Sequence, residues 1–215
     1  MTQQWLTMLQ DYRAIAVIRS PSVSLGQQLA KALIAGGMRI IEITWNSDQP
    51  GQLVETLREE FPDCSIGVGT ILNPTQLQDA IAAGAQFVFS PHCNPQLIQS
   101  ARQAQLPIIP GALTPSEIIG AWEMGATCVK VFPIQAVGGV QYLKNLKTPL
   151  GEIPLIPTGG VTLDNAANFI SNGAIAVGLA SSLCPPHTLQ TQNWTEITQN
   201  ARILQQKIQL DNHNK

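Results

Sequence analysis

Charge is scarce in this sequence and nowhere gathered. Twelve lysines and arginines stand against 14 aspartates and glutamates, for a net charge of −2, and charged residues are only 12% of the chain. With no basic run, a nucleic acid is not expected as the main partner. No stretch approaches the roughly 18 consecutive apolar residues of a membrane span, so no membrane association is expected either. The opening residues, Met1-Thr2-Gln3-Gln4-Trp5-Leu6-Thr7-Met8-Leu9-Gln10, lack a basic n-region and an apolar h-region, and do not read as a signal peptide. Cys64, Cys93, Cys128 and Cys184 form no Cys-x-x-Cys pair, so neither a zinc site nor a disulfide framework is indicated. The histidines are His92, His187 and His213, the last in a polar tail. A catalytic metal usually wants two or three converging His or carboxylate ligands, and the sequence offers no such cluster. Metal-dependent chemistry and a bound cofactor are therefore not expected, and a reduced, cytoplasmic protein is the simplest reading.

What is present is apolar. Hydrophobic residues make up 44% of 215, enough for one domain with a sizeable core. We take residues 1–215 as that single domain, with an N-terminal helix over 1–12 and a polar tail at 210–215. Trp5, Leu6, Met8, Leu9 and Tyr12 form the helix's apolar face, which would cover one end of the core.

Then a unit repeats. Strands are expected at 14–18, 40–44, 65–69, 87–90, 108–110, 128–132, 155–157 and 174–177. Helices are expected at 24–35, 51–60, 74–83, 95–104, 115–124, 140–146, 164–171 and 193–209. Thr114 is placed to cap the helix at 115. The helix-to-strand joints also repeat, as Ala35-Gly36-Gly37, Ala83-Gly84-Ala85, Met124-Gly125-Ala126 and Asn172-Gly173-Ala174. Each puts glycine where a left-handed helix cap falls. Strict alternation implies a parallel sheet covered by helices. Eight such units predict a single, compact (β/α)8 TIM barrel of α/β class. The alternative is a doubly wound open sheet. It would normally carry a glycine-rich loop after the first strand, where this chain has Arg19-Ser20-Pro21-Ser22.

One strand holds a residue that strands rarely hold. In Cys128-Val129-Lys130-Val131-Phe132-Pro133, side chains alternate, so Lys130 shares a face with Cys128 and Phe132. Lysine is almost never fully buried unless paired. Burial favours the neutral amine, the form that attacks a ketone to make a Schiff base. The structural alternative is a lysine held in an ion pair. In Ile40-Ile41-Glu42-Ile43-Thr44, parity puts Glu42 and Thr44 inside the barrel. A carboxylate there is costly without a partner. Glu42 is thus either a proton-transfer group beside Lys130 or the other half of that ion pair.

Barrel active sites lie at the carboxyl ends of the strands. Those ends carry Arg19, Glu42, Thr44, Thr70, Ser90-Pro91, Gly111, Lys130, Phe132, Thr158-Gly159-Gly160 and Gly178-Leu179-Ala180-Ser181. The two small-residue turns, after the seventh and eighth strands, stand where barrels often bind a phosphate on backbone N–H groups.

Several segments, in order over roughly residues 14–185, resemble one family. They are Ala32-Leu33-Ile34-Ala35-Gly36-Gly37, Ile41-Glu42-Ile43-Thr44, Gly67-Val68-Gly69-Thr70-Ile71-Leu72-Asn73-Pro74, Phe89-Ser90-Pro91, Ile109-Pro110-Gly111, Val129-Lys130-Val131-Phe132-Pro133 and Pro157-Thr158-Gly159-Gly160-Val161. The chain is similar to the 2-keto-3-deoxy-6-phosphogluconate (KDPG) aldolases, also described as 4-hydroxy-2-oxoglutarate aldolases. The resemblance implies a class I aldolase acting on a small 2-keto acid, phosphorylated or not, with Lys130 as Schiff-base lysine and Glu42 as general acid and base. It implies Thr70 and an arginine at the pyruvyl carboxylate, with Pro91 and Phe132 lining the pocket. It implies Thr158 beside the hydroxyl-bearing carbons, and Gly159, Gly160 and Ser181 at the phosphate. A homotrimer is implied as well.

One branch of the family has arginine four residues after the glutamate, where this chain has Asn46. Other members carry it at the end of the first strand, a place Arg19 fits. Asn46-Ser47 resembles the sister 6-phosphogalactonate aldolases. Ala180 stands where many relatives have glycine beside the phosphate, which leaves unphosphorylated 4-hydroxy-2-oxoglutarate, or oxaloacetate decarboxylation, as alternative chemistry. From other classes, the alternatives are a non-catalytic phosphosugar-binding barrel and a phosphosugar isomerase or epimerase that forms no imine.

Overall fold

The computed structural model describes residues 2–212, with side chains described for 3–209. After α1 (Thr2–Tyr12) the chain alternates through β1 (Ala14–Ile18), α2 (Val23–Ala35), β2 (Ile40–Thr44), α3 (Pro50–Glu60), β3 (Ser65–Gly69), α4 (Pro74–Ala82) and β4 (Val88–Phe89). It continues through α5 (Pro95–Gln103), β5 (Ile108–Ile109), β6 (Gly111–Ala112), α6 (Pro115–Glu123), β7 (Val129–Val131) and a 3-10 turn at Ile134–Val137. Last come α7 (Val140–Lys147), β8 (Leu155–Pro157), α8 (Ala166–Ser171), β9 (Val177–Leu179), α9 (Pro186–Gln190) and α10 (Trp194–Asn212). Among the described residues no helix is long and apolar enough to cross a membrane.

The strands pair in parallel in two arcs, β5-β4-β3-β2-β1-β9 and β6-β7-β8. Backbone bonds from Thr127 N to Ile108 O and from Lys130 N to Pro110 O join the arcs on one side. On the other side, Ile175 N bonds Leu155 O, and Thr158 bridges Gly178. The ring is therefore closed, as the (β/α)8 expectation requires and the open-sheet alternative forbids. β5 and β6 together make one barrel strand. Pro110 interrupts it because proline has no N–H for the ladder.

Two expectations are corrected. The last strand is Val177–Leu179 rather than 174–177, because its ladder with β1 begins at Ala14 opposite Val177. Gly178 and Leu179 thus belong to the strand, and the turn after it starts at Ala180. The helix expected from 164 begins at Ala166, since the Asn165 side chain accepts a hydrogen bond from Thr162 N at 2.7 Å and closes a tight turn first. The 3-10 turn and α9 were not expected at all. At the chain's end α10 continues to Asn212, and residues 213–215 of the expected tail lie outside the described residues.

Alternation of side chains divides the core in two. Ile41, Ile43, Ile66, Val68, Val88, Val129 and Val131 face outward and pack beneath the helices. Ile15, Ile40, Phe87, Phe89, Ile109, Cys128, Ile156 and Ala176 face inward. α1 closes the amino end of the barrel by inserting Trp5 and Leu9 into this inner cluster, with the Trp5 and Phe87 rings 5.4 Å apart. Leu6, Met8 and Tyr12 of the same helix are only partly buried. The joints follow the glycine expectation, with Gly37, Gly84, Gly125 and Gly173 all at positive φ. Thr114 caps α6 reciprocally with Glu117.

Leu9 is fully buried at the end of the barrel remote from the polar loops. Leu9→Ala should lower stability by about 2–5 kcal/mol in chemical denaturation while leaving substrate KM unchanged.

Candidate active site

Lys130 stands in the middle of β7, between Gly111 of β6 and Ile156 of β8. It is 7% exposed. Its Nζ lies 4.8 Å from the centre of the Phe132 ring and 5.8 Å from that of Phe89. An ammonium over two aromatic faces recovers part of the solvation that burial removes. Glu42 stands on β2, opposite Val17 of β1 and Gly67 of β3, and is 2% exposed. Its carboxylate occupies space that only a glycine leaves, because a methyl on Gly69 would overlap it.

The two buried groups are not locked together. Among the described residues the ion pairs are Lys31–Glu60, His187–Glu196 and Lys207–Asp164, all at the surface. Neither Glu42 nor Lys130 takes part in one, which removes support from the structural ion-pair alternative. The two groups still feel each other. Burial raises the Glu42 pKa, while the charges of Lys130 and then Arg19 pull it back down. Arg19 is therefore close enough to act on Glu42, although it sits exposed just past β1.

The remaining candidates ring the carboxyl ends of the strands. Thr70 follows β3 directly and holds a left-handed backbone, φ 62°. For a β-branched residue that is a strained conformation, costing about 1–3 kcal/mol and typical of functional positions. Pro91 follows β4, and its backbone sits where a side chain on Gly111 would have to go. Phe132 is 37% exposed at the mouth. Thr158 follows β8, with its Oγ1 buried against Gly178 and without a hydrogen-bond partner. Gly159 and Gly160 are left-handed, at φ 82° and 98°. The segment after β7 clasps this turn, through Ile134 N to Thr158 O at 3.0 Å and Gln135 N to Gly159 O at 3.1 Å. Ser181 is exposed just beyond β9. All ten predicted site residues thus stand at, or open toward, one end of the barrel. No three His, Cys, Asp or Glu side chains converge among the described residues.

Sequence reasoning missed several residues that shape this end. Val17 has the same inward parity as Ile15 and stands beside Glu42, so period-2 counting would have found it. Gly69 was quoted only as part of a motif, and its role in making room for Glu42 needs the register between β2 and β3. Ser182 ties two rim loops by accepting a bond from Leu163 N at 3.0 Å, a contact across 19 residues that no local pattern signals.

An amine and a carboxylate, both buried and unpaired beneath a rim of polar turns, are the furniture of a (β/α)8 enzyme. Relatives make the class specific. A family model described as KDPG and KHG aldolase matches residues 6–200. The chain is 36% identical, over 81% of its length and 82% of the relative's, to a 2-dehydro-3-deoxy-phosphogluconate aldolase of Dickeya dadantii (strain 3937). Among solved structures it matches KDPG aldolase from Legionella pneumophila, with pyruvate captured at low pH as a covalent carbinolamine intermediate. That match has a TM-score of 0.86 and 30% identity, covering 93% of this chain and 97% of the other. A native KDPGal structure matches with a TM-score of 0.85 and 30% identity, covering 93% and 96%. The chain belongs to the KDPG and KHG aldolase family.

The electrostatics of Glu42 set a pH dependence. With its pKa raised in the folded state, the folded protein binds the proton more tightly than the unfolded chain does. Its contribution to stability is full below the unfolded value of about 4.3 and is lost as pH rises through the folded pKa. Glu42→Gln mimics the neutral acid. Thermal unfolding should show the variant gaining stability relative to the parent as pH rises from 4 to 8, with the two alike at the acid end.

Proposed function

We propose that this protein is a Schiff-base aldolase that cleaves 2-keto-3-deoxy-6-phosphogluconate to pyruvate and glyceraldehyde 3-phosphate, and 4-hydroxy-2-oxoglutarate to pyruvate and glyoxylate. The observation that carries the proposal is Lys130, buried mid-strand without a carboxylate partner and aligned with a carboxylate on the same interior face. The Legionella relative, whose pyruvate is held as a covalent carbinolamine, supports the same chemistry here.

In the proposed reaction the neutral Lys130 amine adds to the C2 carbonyl. The resulting carbinolamine loses water to give an iminium, which acts as the electron sink. Glu42 takes the proton of the C4 hydroxyl, directly or through a water, as the C3–C4 bonding pair moves toward the iminium. The aldehyde leaves. The enamine takes a proton at C3, and hydrolysis of the imine frees pyruvate and the lysine. A Glu42 pKa raised by burial suits this duty, because the group must both accept and return a proton.

Positive charge for the pyruvyl carboxylate is assigned to Arg19, beside the Thr70 hydroxyl and backbone. Pro91 and Phe132 wall the pocket, and Thr158 faces the hydroxylated carbons. The phosphate is assigned to the backbone of Gly159 and Gly160 with Ser181. Arg19 and the iminium formed on Lys130 supply the positive charge the reaction needs, so the proposed mechanism is metal-independent. A homotrimer is proposed from the family resemblance, and its mass of three times 23.1 kDa is open to sedimentation.

A second assignment has its own support. The KDPGal match and the Asn46-Ser47 pair favour 2-keto-3-deoxy-6-phosphogalactonate, which differs at C4. Pyruvate release from the two phosphorylated C4 epimers and from unphosphorylated 4-hydroxy-2-oxoglutarate separates the substrates. We expect the gluconate-derived epimer to be cleaved with the highest kcat/KM, in a chelator as in its absence. Lys130→Arg, which keeps the charge but cannot lose its proton, should fall to the background rate on all three. Turnover by that variant would refute the imine, and loss of activity on chelation, restored by added metal, would refute metal independence. Ser181→Ala should raise KM for the phosphorylated substrates alone, by about ten- to a hundredfold if a charge-assisted bond is lost. An equal rise for the unphosphorylated substrate would show that Ser181 does not hold the phosphate.

A further inference from the structure

No hydrogen bond or ion pair among the described residues holds the exposed Arg19 side chain, whereas Arg13, Arg39 and Arg102 bond backbone carbonyls. With only the longer-range pull of Glu42 on it, a long, flexible side chain is aimed chiefly by its own main chain. What fixes the main chain at Arg19 therefore decides where the cation points.

The next residue is pinned from both sides by the neighbouring loop. Ser20 N donates to the Ser47 side-chain oxygen at 3.1 Å, and Ser20 O accepts from Asp48 N at 2.9 Å. The Ser47 hydroxyl is in turn 3.3 Å from Thr44 Oγ1, and Thr44 is 2% exposed on the same interior face as Glu42. The turn that carries Ser47 is itself anchored, through Ser47 N to Thr44 O at 2.9 Å and Trp45 N to Gly69 O at 2.7 Å. Among the described residues, the Ser47 hydroxyl thus bonds both the loop that bears Arg19 and Thr44 of the strand that bears Glu42.

We propose that Ser47 is a positioning residue: its hydroxyl holds the Arg19–Ser20 backbone so that the arginine meets the substrate carboxylate. This rests on the assignment of that carboxylate to Arg19. Ser47 itself touches no reacting atom. Removing its hydroxyl deletes one of the two bonds that pin Ser20, and the cost falls on binding common to ground and transition states. The effect is a higher KM at nearly constant kcat, by about two- to tenfold for one lost hydrogen bond.

The test is a double-mutant cycle on steady-state kinetics with unphosphorylated 4-hydroxy-2-oxoglutarate, with Ser47→Ala, Arg19→Ala and the double variant. We expect each single variant to raise KM. In the Arg19→Ala background, Ser47→Ala should add nothing, because there is no guanidinium left to aim. Ser47→Thr, which keeps the hydroxyl, should restore KM to within about twofold of the parent, well inside the loss predicted for one bond. Ser47→Cys, of similar volume with a weaker acceptor, replaces the alanine variant if that one does not fold.

Three results overturn the proposal. If Ser47→Ala lowers the melting temperature but leaves KM unchanged, the hydroxyl is only structural. If the two effects multiply in the double variant, Ser47 acts through something other than Arg19. In both cases the aldolase assignment stands. If Arg19→Ala itself leaves KM unchanged, the carboxylate is held elsewhere, and the assignment of Arg19 falls together with the inference built on it.

Discussion

One acidic and one basic side chain inside one apolar barrel, close enough to influence each other yet not paired, set the terms for the rest of this structure. An isolated buried ion costs several kcal/mol even after relaxation. Lys130 is offset by the faces of Phe89 and Phe132. Glu42 responds by holding its proton more tightly than a free carboxylate does. A closed ion pair would stabilise both groups and occupy the lysine in doing so. The open arrangement leaves the amine and the carboxyl free of each other, and the scaffold bears the cost.

The scaffold makes that arrangement possible by omission. Four interior positions that would otherwise carry side chains are glycines. Gly67 admits Phe87, Gly69 admits the Glu42 carboxylate, Gly111 admits the Pro91 backbone and Gly178 admits Thr158. Below, α1 seals the barrel with Trp5 and Leu9. Above, strained or left-handed backbone at Thr70, Gly159 and Gly160 turns the loops inward. Packing at one end and absence of packing at the other come from the same period-2 alternation.

That alternation is why so much was legible beforehand. Strand parity alone placed Lys130 and Glu42 inside the barrel, and the strand–helix repeat with its glycine joints foretold a closed parallel ring. The misses share a physical cause. Pro110 splits a strand because of a ladder bond it cannot make, and the last strand begins three residues late because its register with β1 decides its start. Neither is visible without the neighbouring strand. The same holds for the rim, where Ser47 and Ser182 act across 27 and 19 residues. A side chain whose partner is a distant backbone N–H leaves no periodic trace. Ala180, exposed in the turn after β9, could be named from the sequence, but its consequence lies in a loop geometry that parity does not reach.

The central claim is that Lys130 is the nucleophile, and the most direct measurement is covalent. The protein would be treated with borohydride in the presence of pyruvate, digested, and mapped by mass spectrometry. The account predicts one reduced pyruvyl adduct, on the peptide that carries Lys130, and none when pyruvate is omitted. An adduct on another lysine, or an unmodified Lys130 in a preparation that borohydride and pyruvate together have inactivated, would contradict it.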